Sequence, residues 1–204
     1  MKVSIFKYTP DPLETIVIAA RRCYSADEIP GFDPNKSKAE FVKFLMTREH
    51  LTPFEFVNVV FHISGISRAL SHQLVRTRIA SYCQQSQRYC KGYPGHVVPK
   101  TIQESMFKGN QKLVDALLDY WEAFNLVQKE LQDVGIPQED ARYYWPEATE
   151  TKIMVNLNCH SMMNFFKTRL DPHAQWEIRE MANLMYEQIS GILPEVFPME
   201  KIKQ

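Results

Sequence analysis

The sequence predicts an α+β fold in a single domain that spans residues 1–204. A length of 204 residues suits one domain, and 45% apolar residues, with 12% aromatic, are enough for a hydrophobic core. Stretches with the two-residue period of a strand are scattered among helical stretches at unequal intervals. That arrangement favours α+β over a regular alternation of strands and helices.

Short motifs predict the first elements. Residues 2–6, KVSIF, alternate like a short strand. The tetrapeptide at 11–14, DPLE, combines a capping aspartate, a first-turn proline and a capping-box glutamate, so it opens a helix that continues through IVIAARRCYS. The tetrapeptide at 37–40, SKAE, repeats the capping signature. The buried face of this second helix is expected to contain Phe41, Phe44 and Leu45.

The middle of the chain changes to a two-residue period. We predict a strand at 54–64, where Asn58 and His62 break the apolar character of one side. The other side would carry Glu55, Val57, Val59, Phe61 and Ile63. A helix is expected from 67 to about 76. The stretch 78–95 has no helical period and ends in turn residues, which predicts an ordered loop.

The C-terminal half is mostly helical. A long helix is predicted from about Asn110 to Val134, with Gly135 as its stop signal. Its core-facing side is expected to hold Leu113, Leu117, Tyr120, Trp121, Phe124, Val127 and Leu131. The remaining predicted elements are a short helix at 137–144, a strand at 151–158, a helix near 161–168 and a last helix opened by Asp171 and Pro172.

The composition bears on the class of protein. Basic and acidic residues balance at 24 each, which gives no global charge argument for nucleic acid or an acidic membrane. The apolar run at 16–20 is too short to span a bilayer and no signal peptide is recognisable, so we expect a cytoplasmic protein with no membrane partner. The four cysteines form no CxxC pair and are expected to be reduced thiols without a metal. They are Cys23, Cys83, Cys90 and Cys159.

One segment of this neutral chain is strongly basic. The 48 residues from Phe56 to Gln103 contain no aspartate or glutamate and carry a formal charge of +6. The basic residues are Arg68, Arg76, Arg78, Arg88, Lys91 and Lys100. Between 73 and 89 the arginines alternate with serines and glutamines, which together are the donors that a phosphate-bearing small ligand needs.

Two alternatives to a phosphate site follow from the same residues. The arginines could pair with acids elsewhere, for which the candidates are Glu139, Asp140, Glu147 and Glu150. The tyrosines Tyr82, Tyr89 and Tyr93 could instead stack on bases in an RNA-binding loop. The segment lacks the lysine-rich stripe expected for tracking a nucleic-acid backbone.

A second polar group lies downstream, and it contains Asn158, His160, Ser161, Asn164 and Arg169. On a helix, His160, Asn164 and Thr168 would share one face, opposite part of an apolar set. Arg169 would lie near the helix end, where a cation is favourable because of the helix dipole alone. That explanation accounts for Arg169 but not for the histidine and asparagines.

Familiar nucleotide and nucleophile motifs are missing from the sequence. It contains no GxGxxG, no GxxxxGK[ST] and no GxSxG. Cys83, Cys90 and Ser86 are conceivable nucleophiles, but none has an evident base partner in the sequence. A covalent mechanism is therefore not favoured.

The segment 76–89, RTRIASYCQQSQRY, resembles RHRxxSxNxxSxRY, the signature of the flavin-dependent thymidylate synthases. Three further segments are similar to that family: HLTPFEF at 50–56, HQLVR at 72–76 and SMMNFFKTRLDPHAQWEI at 161–178. Thr77 replaces the signature histidine, and Cys83 replaces an asparagine. A flavin-binding paralogue without synthase activity is therefore the alternative within the family.

The resemblance implies a mixed or antiparallel sheet flanked by helices, bound FAD and a homotetramer with shared sites. Its reaction is the methylation of dUMP, with methylenetetrahydrofolate as carbon donor and NADPH as reductant of the flavin. The residues implied to contact or lie near FAD are His50, Thr52, Glu55, Arg76, Thr77, Arg78, Gln84, Asn158, Cys159, His160 and Asn164. The residues implied to bind dUMP are Gln73, Leu74, Val75, Arg76, Gln84, Gln85, Ser86, Gln87, Arg88, Arg142 and Arg169. Arg169 is the candidate catalytic residue, because a fixed cation would stabilise negative charge on uracil.

Overall fold

An antiparallel sheet lies at the centre of the computed structural model, which describes residues 1–90 and 92–199. Its strands are β1 (Lys2–Tyr8), β2 (Asn58–Ser67), β3 (Ala80–Gln84) and β4 (Glu150–Asn158). They are ordered β1-β2-β4-β3, and every neighbouring pair is antiparallel. The α+β prediction with an antiparallel sheet is confirmed.

Helices and short turns connect and flank these strands. The helices are α1 (Pro12–Arg22), α2 (Lys38–Thr47), α3 (Arg68–Leu74), α4 (Lys100–Phe107), α5 (Gln111–Asp133), α6 (Gln138–Ala141), α7 (Cys159–Arg169) and α8 (Trp176–Ser190). Two 3₁₀ turns, at Thr52–Phe56 and Arg142–Tyr144, precede β2 and β4. None of the helices in the described part of the chain has both the length and the apolar character needed to cross a bilayer.

The hydrophobic core forms between one face of the sheet and the helices packed on it. The inward residues of β2 and β4 are Val59, Phe61, Ile63, Ile153, Val155 and Leu157, all at most 1% exposed. Helix α8 contributes Ile178, Met181, Met185 and Ile189, and α1 contributes Ile16 and Val17. Because successive strand residues point to opposite faces, Asn58 and His62 are left exposed on the other face, as predicted.

Several local predictions are confirmed by the backbone. Ser37 caps α2, and its side chain accepts a hydrogen bond from the backbone N–H of Glu40. Gly135 follows α5 with φ +74°, a conformation that favours glycine after a helix end. The short helix after Pro137 and the strand through 151–158 are also present.

The predicted loop at 78–95 is wrong over its first part, because residues 80–84 form β3. β3 pairs antiparallel with β4 from Ala80 opposite Leu157 to Gln84 opposite Ile153. Its alternation was hidden because the half-buried positions are Ala80, Tyr82 and Gln84, which have little apolar character in common. A strand at the edge of a sheet forms because the neighbouring strand has unpaired backbone N–H and C=O groups, and the local sequence does not reveal those groups.

Other boundaries also need correction. Residues 54–56 belong to a 3₁₀ turn, not to the strand, which begins at Asn58. Asp11 does not cap α1: it adopts φ +46° and makes no side-chain cap bond, and the helix ends at Arg22. The helix predicted to open at Asp171 begins instead at Trp176, with Gln175 as its cap.

Two predicted buried faces are exposed in the isolated chain. Phe44 of α2 is 51% exposed, and the buried residues of that helix are Val42 and Leu45. On α5 only Phe124 is buried. This helix rests on the rest of the chain through an aromatic cluster of Tyr93, His96, Trp121, Phe124 and Trp145, in which the His96 and Trp121 rings stack 3.5 Å apart. Its periodicity therefore predicted the helix correctly but not its burial.

We expect Ser37→Ala to lower the free energy of unfolding by about 1 kcal/mol, because the Glu40 N–H loses its acceptor. Ser37→Asp is the matched control and should retain stability, since its carboxylate can accept the same bond. Urea denaturation of the three proteins measures the difference. Equal losses in both variants would show that the cap bond contributes nothing.

Candidate active site

The predicted signature segment folds as a helix end, a tight connection and a strand. Leu74 ends α3, Val75 is its C-cap, and the chain reaches β3 at Ala80. The Tyr82 hydroxyl group lies 3.0 Å from the carbonyl oxygen of Leu74 and 2.9 Å from that of Thr77. These contacts fix the connection between α3 and β3. Burial raises the pKa of Tyr82, which keeps its hydroxyl protonated as a donor.

The connection contains a strained residue. Ile79 adopts φ +59°, a left-handed conformation that is a genuine outlier for a β-branched side chain. Its carbonyl oxygen accepts a 3.0 Å hydrogen bond from Ser161 Oγ on α7, and its side chain is 73% exposed. Backbone strain of this kind clusters at functional sites. The contact also joins the two polar groups that the sequence singled out.

A buried hydroxyl pair determines which way the Gln84 amide points. Gln84 Nε2 donates to Ser71 Oγ at 2.9 Å and to Thr151 Oγ1 at 3.2 Å. Ser71 Oγ donates its single hydrogen to the carbonyl oxygen of Arg68, so it can only accept a hydrogen bond from Gln84. The Gln84 side chain therefore has its carbonyl oxygen left for a ligand. Sequence analysis missed Ser71 and Thr151, which have no local pattern.

Two of the predicted anion-binding arginines meet at one glutamate. Arg88 Nε lies 2.5 Å from Glu139 Oε2, and Arg142 Nε donates to the carbonyl oxygen of Glu139 at 3.1 Å. The alternative in which arginines pair with acids is therefore correct for Arg88. Burial lowers the pKa of Arg68, with a further lowering from Arg142, while Glu147 opposes the shift. Glu147 also pairs with His72 at 3.3 Å.

Arg169, the last residue of α7, reaches the other end of α3. Its Nη2 lies 3.4 Å from the carbonyl oxygen of Gln73, and the residue is partly buried. No hydrogen bond among the described residues joins Arg169 directly to Arg88 or Arg142. Arg76 and Arg78 are exposed and make no ion pair within that same part of the chain. Their charges are therefore available to a ligand or a partner chain.

The remaining nucleotide candidates follow β3. Gln85, Ser86 and Gln87 are partly buried and line a small cavity with Trp145. Ser86 Oγ accepts from the backbone N–H groups of Arg88 and Tyr89, at 3.2 and 3.4 Å, so it closes a turn. Among the described residues no side-chain base makes a hydrogen bond to it. Gln85 Oε1 is buried without a hydrogen-bond partner, a condition that a ligand donor would relieve.

The flavin candidates cluster around the start of α7. Asn158 Oδ1 caps that helix by accepting from Ser161 N at 2.8 Å. His160 Nδ1 lies 3.2 Å from Glu55 Oε1, so the 3₁₀ turn is tied to α7. Asn164 is exposed on the same face, as predicted. Cys159 is fully buried, and burial raises the pKa of its thiol to about 12, so only its backbone could contact a ligand.

A cavity of about 490 Å³ lies between α1, α2 and the 3₁₀ turn. His50 and Thr52 line it together with aromatic side chains: Tyr24, Phe41, Phe44 and Phe56. Its volume lies within the usual range for cofactor sites, and aromatic walls with a few polar groups suit a flat ring system with polar edges. Arg21 also lines it and has a buried Nε without a partner. The residues present therefore fit a flavin.

Together these features define an α+β protein whose signature segment and α7 carry arginines, hydroxyls and amides, and which has an aromatic cavity between α1, α2 and the 3₁₀ turn. The chain matches the family model of the thymidylate synthase complementing protein over residues 4–195. It is 40% identical over 204 residues to the flavin-dependent thymidylate synthase of Geobacter sulfurreducens, an alignment that covers 97% of this chain and 85% of the relative. The flavin-dependent thymidylate synthase of Clostridium tetani is 37% identical over 214 residues, with 97% and 85% covered. The chain belongs to this family.

An archaeal relative agrees with these two. The flavin-dependent thymidylate synthase of Pyrococcus horikoshii is 40% identical over 194 residues, which covers 93% of this chain and 79% of the relative. The similarity extends across nearly the whole chain in each case, so it includes the signature segment, α7 and the start of α8. The family resemblance inferred from the motifs is confirmed.

We expect Gln84→Ala to lower the free energy of unfolding by about 1–2 kcal/mol, because Thr151 Oγ1 is left buried without a donor. Gln87→Ala is the matched control, since Gln87 is also partly buried but makes no side-chain hydrogen bond in the described structure, and should cost about 0.5 kcal/mol or less. Chemical denaturation separates them. Similar losses would show that the Ser71–Gln84–Thr151 bonds contribute nothing.

Proposed function

We propose that this chain is a flavin-dependent thymidylate synthase that converts dUMP to dTMP, with methylenetetrahydrofolate as carbon donor and NADPH-reduced FAD as hydride donor. Its relatives carry that name over alignments of at least 93% of this chain. The observation that carries the proposal is the Ser161–Ile79 hydrogen bond, which joins the signature segment to α7. We propose that residues 1–204 form one domain with this activity.

The phosphate of dUMP would bind to the arginines that now meet Glu139. Arg88 offers a forked cationic donor to the Glu139 carboxylate, and Arg142 donates a hydrogen bond to the backbone carbonyl oxygen of Glu139. A phosphate would take the place of the Glu139 carboxylate as partner of Arg88. The carbonyl oxygen of Gln84 and the unpartnered Gln85 Oε1 would accept from the hydroxyl or N–H groups of the nucleotide.

Arg169 would act on the uracil ring. Carbon five of uracil must become nucleophilic, and negative charge then develops on the ring's carbonyl oxygens and nitrogen. Arg169 is held beside the C-terminal end of α3 by the Gln73 carbonyl oxygen, and a guanidinium presents a planar fork of donors with a delocalised positive charge. It would stabilise the negative charge on the ring without any enzyme nucleophile. The protonated, buried Cys159 is consistent with this route, as is Ser86, whose hydroxyl has no hydrogen-bonded base among the described residues.

FAD would supply the final hydride, after its reduction by NADPH. His50 and Thr52 would contact it from the aromatic cavity, while His160 and Asn164 would contact it from α7. Glu55 fixes the orientation of His160 through the 3.2 Å contact. Arg76, Thr77 and Arg78 would offer donors from the strained connection. Thr77 cannot provide the imidazole of the family signature.

Shared sites in a homotetramer fit the surface of the single chain. Helices α4 and α5 and the segment after α5 expose Phe107, Leu118, Leu126, Val134 and Ile136. Residues of this kind spread over an amphipathic helix pair are expected at an oligomer interface. Arg76 and Arg78, which have no acid partner among the described residues, would then face a site completed by another chain. A cytoplasmic location is also proposed, supported by the four free cysteines.

The competing functions are less well supported. An RNA-binding loop would need free tyrosines, but Tyr82 is hydrogen-bonded inside the fold and Tyr93 packs within the aromatic cluster. Tyr89 alone of the three is largely exposed, at 76%. A paralogue that has lost activity keeps the same contacts, so turnover must distinguish it.

The proposed function is tested by tritium release from dUMP labelled at carbon five, in the presence of methylenetetrahydrofolate and NADPH. The purified protein should be yellow, with flavin absorption at about 450 nm, and release should depend on all three substrates. A yellow protein without release would support the paralogue. A colourless protein that binds RNA would contradict both flavoprotein interpretations.

Arg169→Ala should lower the rate of dTMP formation about a hundredfold, or about 3 kcal/mol in the barrier, because the charge on uracil loses its cation. Lys167→Ala is the matched control, since Lys167 lies exposed in the same last turn of α7. It should retain the rate while losing any helix-dipole contribution of about 1 kcal/mol or less. An unchanged rate with a lower melting temperature in Arg169→Ala would remove Arg169 from the active site.

The tetramer is tested by light scattering of the purified flavoprotein. Leu118→Glu and Leu126→Glu place charges on the exposed face of α5, which is already solvated in a monomer but buried in an assembly. We expect the double variant to dissociate and to lose bound FAD. A flavin-loaded monomer of the unaltered chain would overturn the prediction.

A further inference from the structure

Glu177 is a buried acid that the proposed mechanism does not use. It is 2% exposed in the first turn of α8, and both carboxylate oxygens bind the same residue. Oε1 accepts from Ser67 N at 2.7 Å, and Oε2 accepts from Ser67 Oγ at 2.5 Å. We infer that Glu177 is a positioning residue for dUMP, acting through Ser67 and α3; this rests on the proposed function.

The Ser67 hydroxyl group has a fixed direction. Its oxygen accepts the N-cap bond of α3 from Leu70 N at 3.0 Å. Its single proton is donated to Glu177 Oε2. One serine therefore starts the helix and anchors that start to α8. The backbone N–H of Ser67 also donates to Oε1, so two bonds hold the corner between β2 and α3 to α8.

A helix as short as α3 depends on its anchors. Its seven residues are too few for a stable helix in isolation, because nucleation costs more than so few bonds return. The start of α3 is also held by a hydrogen bond of 2.9 Å, which the backbone N–H of Arg68 donates to the carbonyl oxygen of Thr149. The end presents the Gln73 carbonyl oxygen to Arg169 and leads directly into Arg76. A shift or tilt at Ser67 is therefore carried to the groups proposed to bind the nucleotide.

Capping of its own helix does not explain Glu177. The first-turn N–H groups of α8 are already satisfied by Gln175 Oε1, which accepts from Glu177 N at 2.9 Å and from Ile178 N at 3.1 Å. A first-turn acid gains from the helix dipole even on the surface, without being buried. Burial of a carboxylate is costly unless its acceptors are used, and here both face Ser67. Its specific contribution is therefore to the position of α3.

Glu177→Gln tests the inference, because the amide N–H₂ group replaces one carboxylate oxygen, so one of the two Ser67 donors loses its acceptor while the side-chain shape is kept. We expect the Kd for dUMP, measured by titration calorimetry on the assembled flavoprotein, to rise about tenfold. Amide hydrogens of residues 68–76 should also exchange faster with solvent. Met185→Ala is the matched control, since it removes a fully buried side chain from the same helix without touching α3's anchor.

The outcomes separate a positioning role from a general loss of stability. A larger Kd and faster exchange at 68–76 in Glu177→Gln, but not in Met185→Ala, support the inference. Equal effects in the two variants overturn it. Ser67→Ala is a second variant that removes both the bond to Glu177 Oε2 and the N-cap bond from Leu70 N, so its effect on Kd should be at least as large. The effects of the two variants should not add, because both disrupt the Ser67–Glu177 contact. If the unaltered chain binds no dUMP, the proposed function fails, while hydrogen exchange still tests the position of α3.

Discussion

The double pairing of β4 determines where every part of the candidate site lies. β4 pairs with β2 along nine residues on one side and with β3 on the other, and at its last residue Asn158 turns into the cap of α7. The β2 pairing sets the corner from which α3 leaves, and the β3 pairing sets the signature strand. From that cap, α7 carries His160 to Glu55 at its start and Arg169 to the Gln73 carbonyl oxygen at its end. A slip of one residue would reverse every side chain of β4, so its inward Ile153, Val155 and Leu157 enforce the register that the site needs.

The distribution of charged residues in this fold is more informative than the net charge of the chain. The chain is formally neutral, and its basic segment lies opposite acids that come from elsewhere in the sequence. Arg88 meets Glu139, and Glu147 lies near both Arg68 and His72, so one end of α3 is compensated internally. Arg76 and Arg78 are not compensated within the described residues. In the proposed site the compensated arginines would exchange an internal carboxylate for a ligand anion, whereas the others would add new attraction. Both behaviours would suit the binding and release of a phosphate.

Local rules predicted those parts of the fold that depend on local interactions. The Ser37 cap, the stop at Gly135 and the inward alternation of β2 and β4 each follow from a few neighbouring residues. β3 could not be predicted, because Ala80, Tyr82 and Gln84 gain their place from the free edge of β4. The same limit applies to the site. The arginines and the family motif are recognisable in the sequence, but Ser71 and Thr151 lie far apart in it and belong to the site only because both accept hydrogen bonds from Gln84. The exposure of α5 is a further difference, since its apolar period predicts a buried face and only Phe124 of this helix is buried.

The connection between α3 and β3 is compatible with Thr77 in place of the signature histidine. The fold uses the Thr77 carbonyl oxygen, which accepts from the Tyr82 hydroxyl group at 2.9 Å. Any residue supplies that carbonyl, so the tight connection and the strained Ile79 beyond it do not require a histidine. The Thr77 side chain also interacts with the Tyr82 hydroxyl group, so this residue contributes to the connection as well as to the proposed ligand contact. Loss of the signature imidazole therefore alters what the flavin would contact, while the geometry that presents Arg76, Arg78 and the Ser161–Ile79 bond is retained.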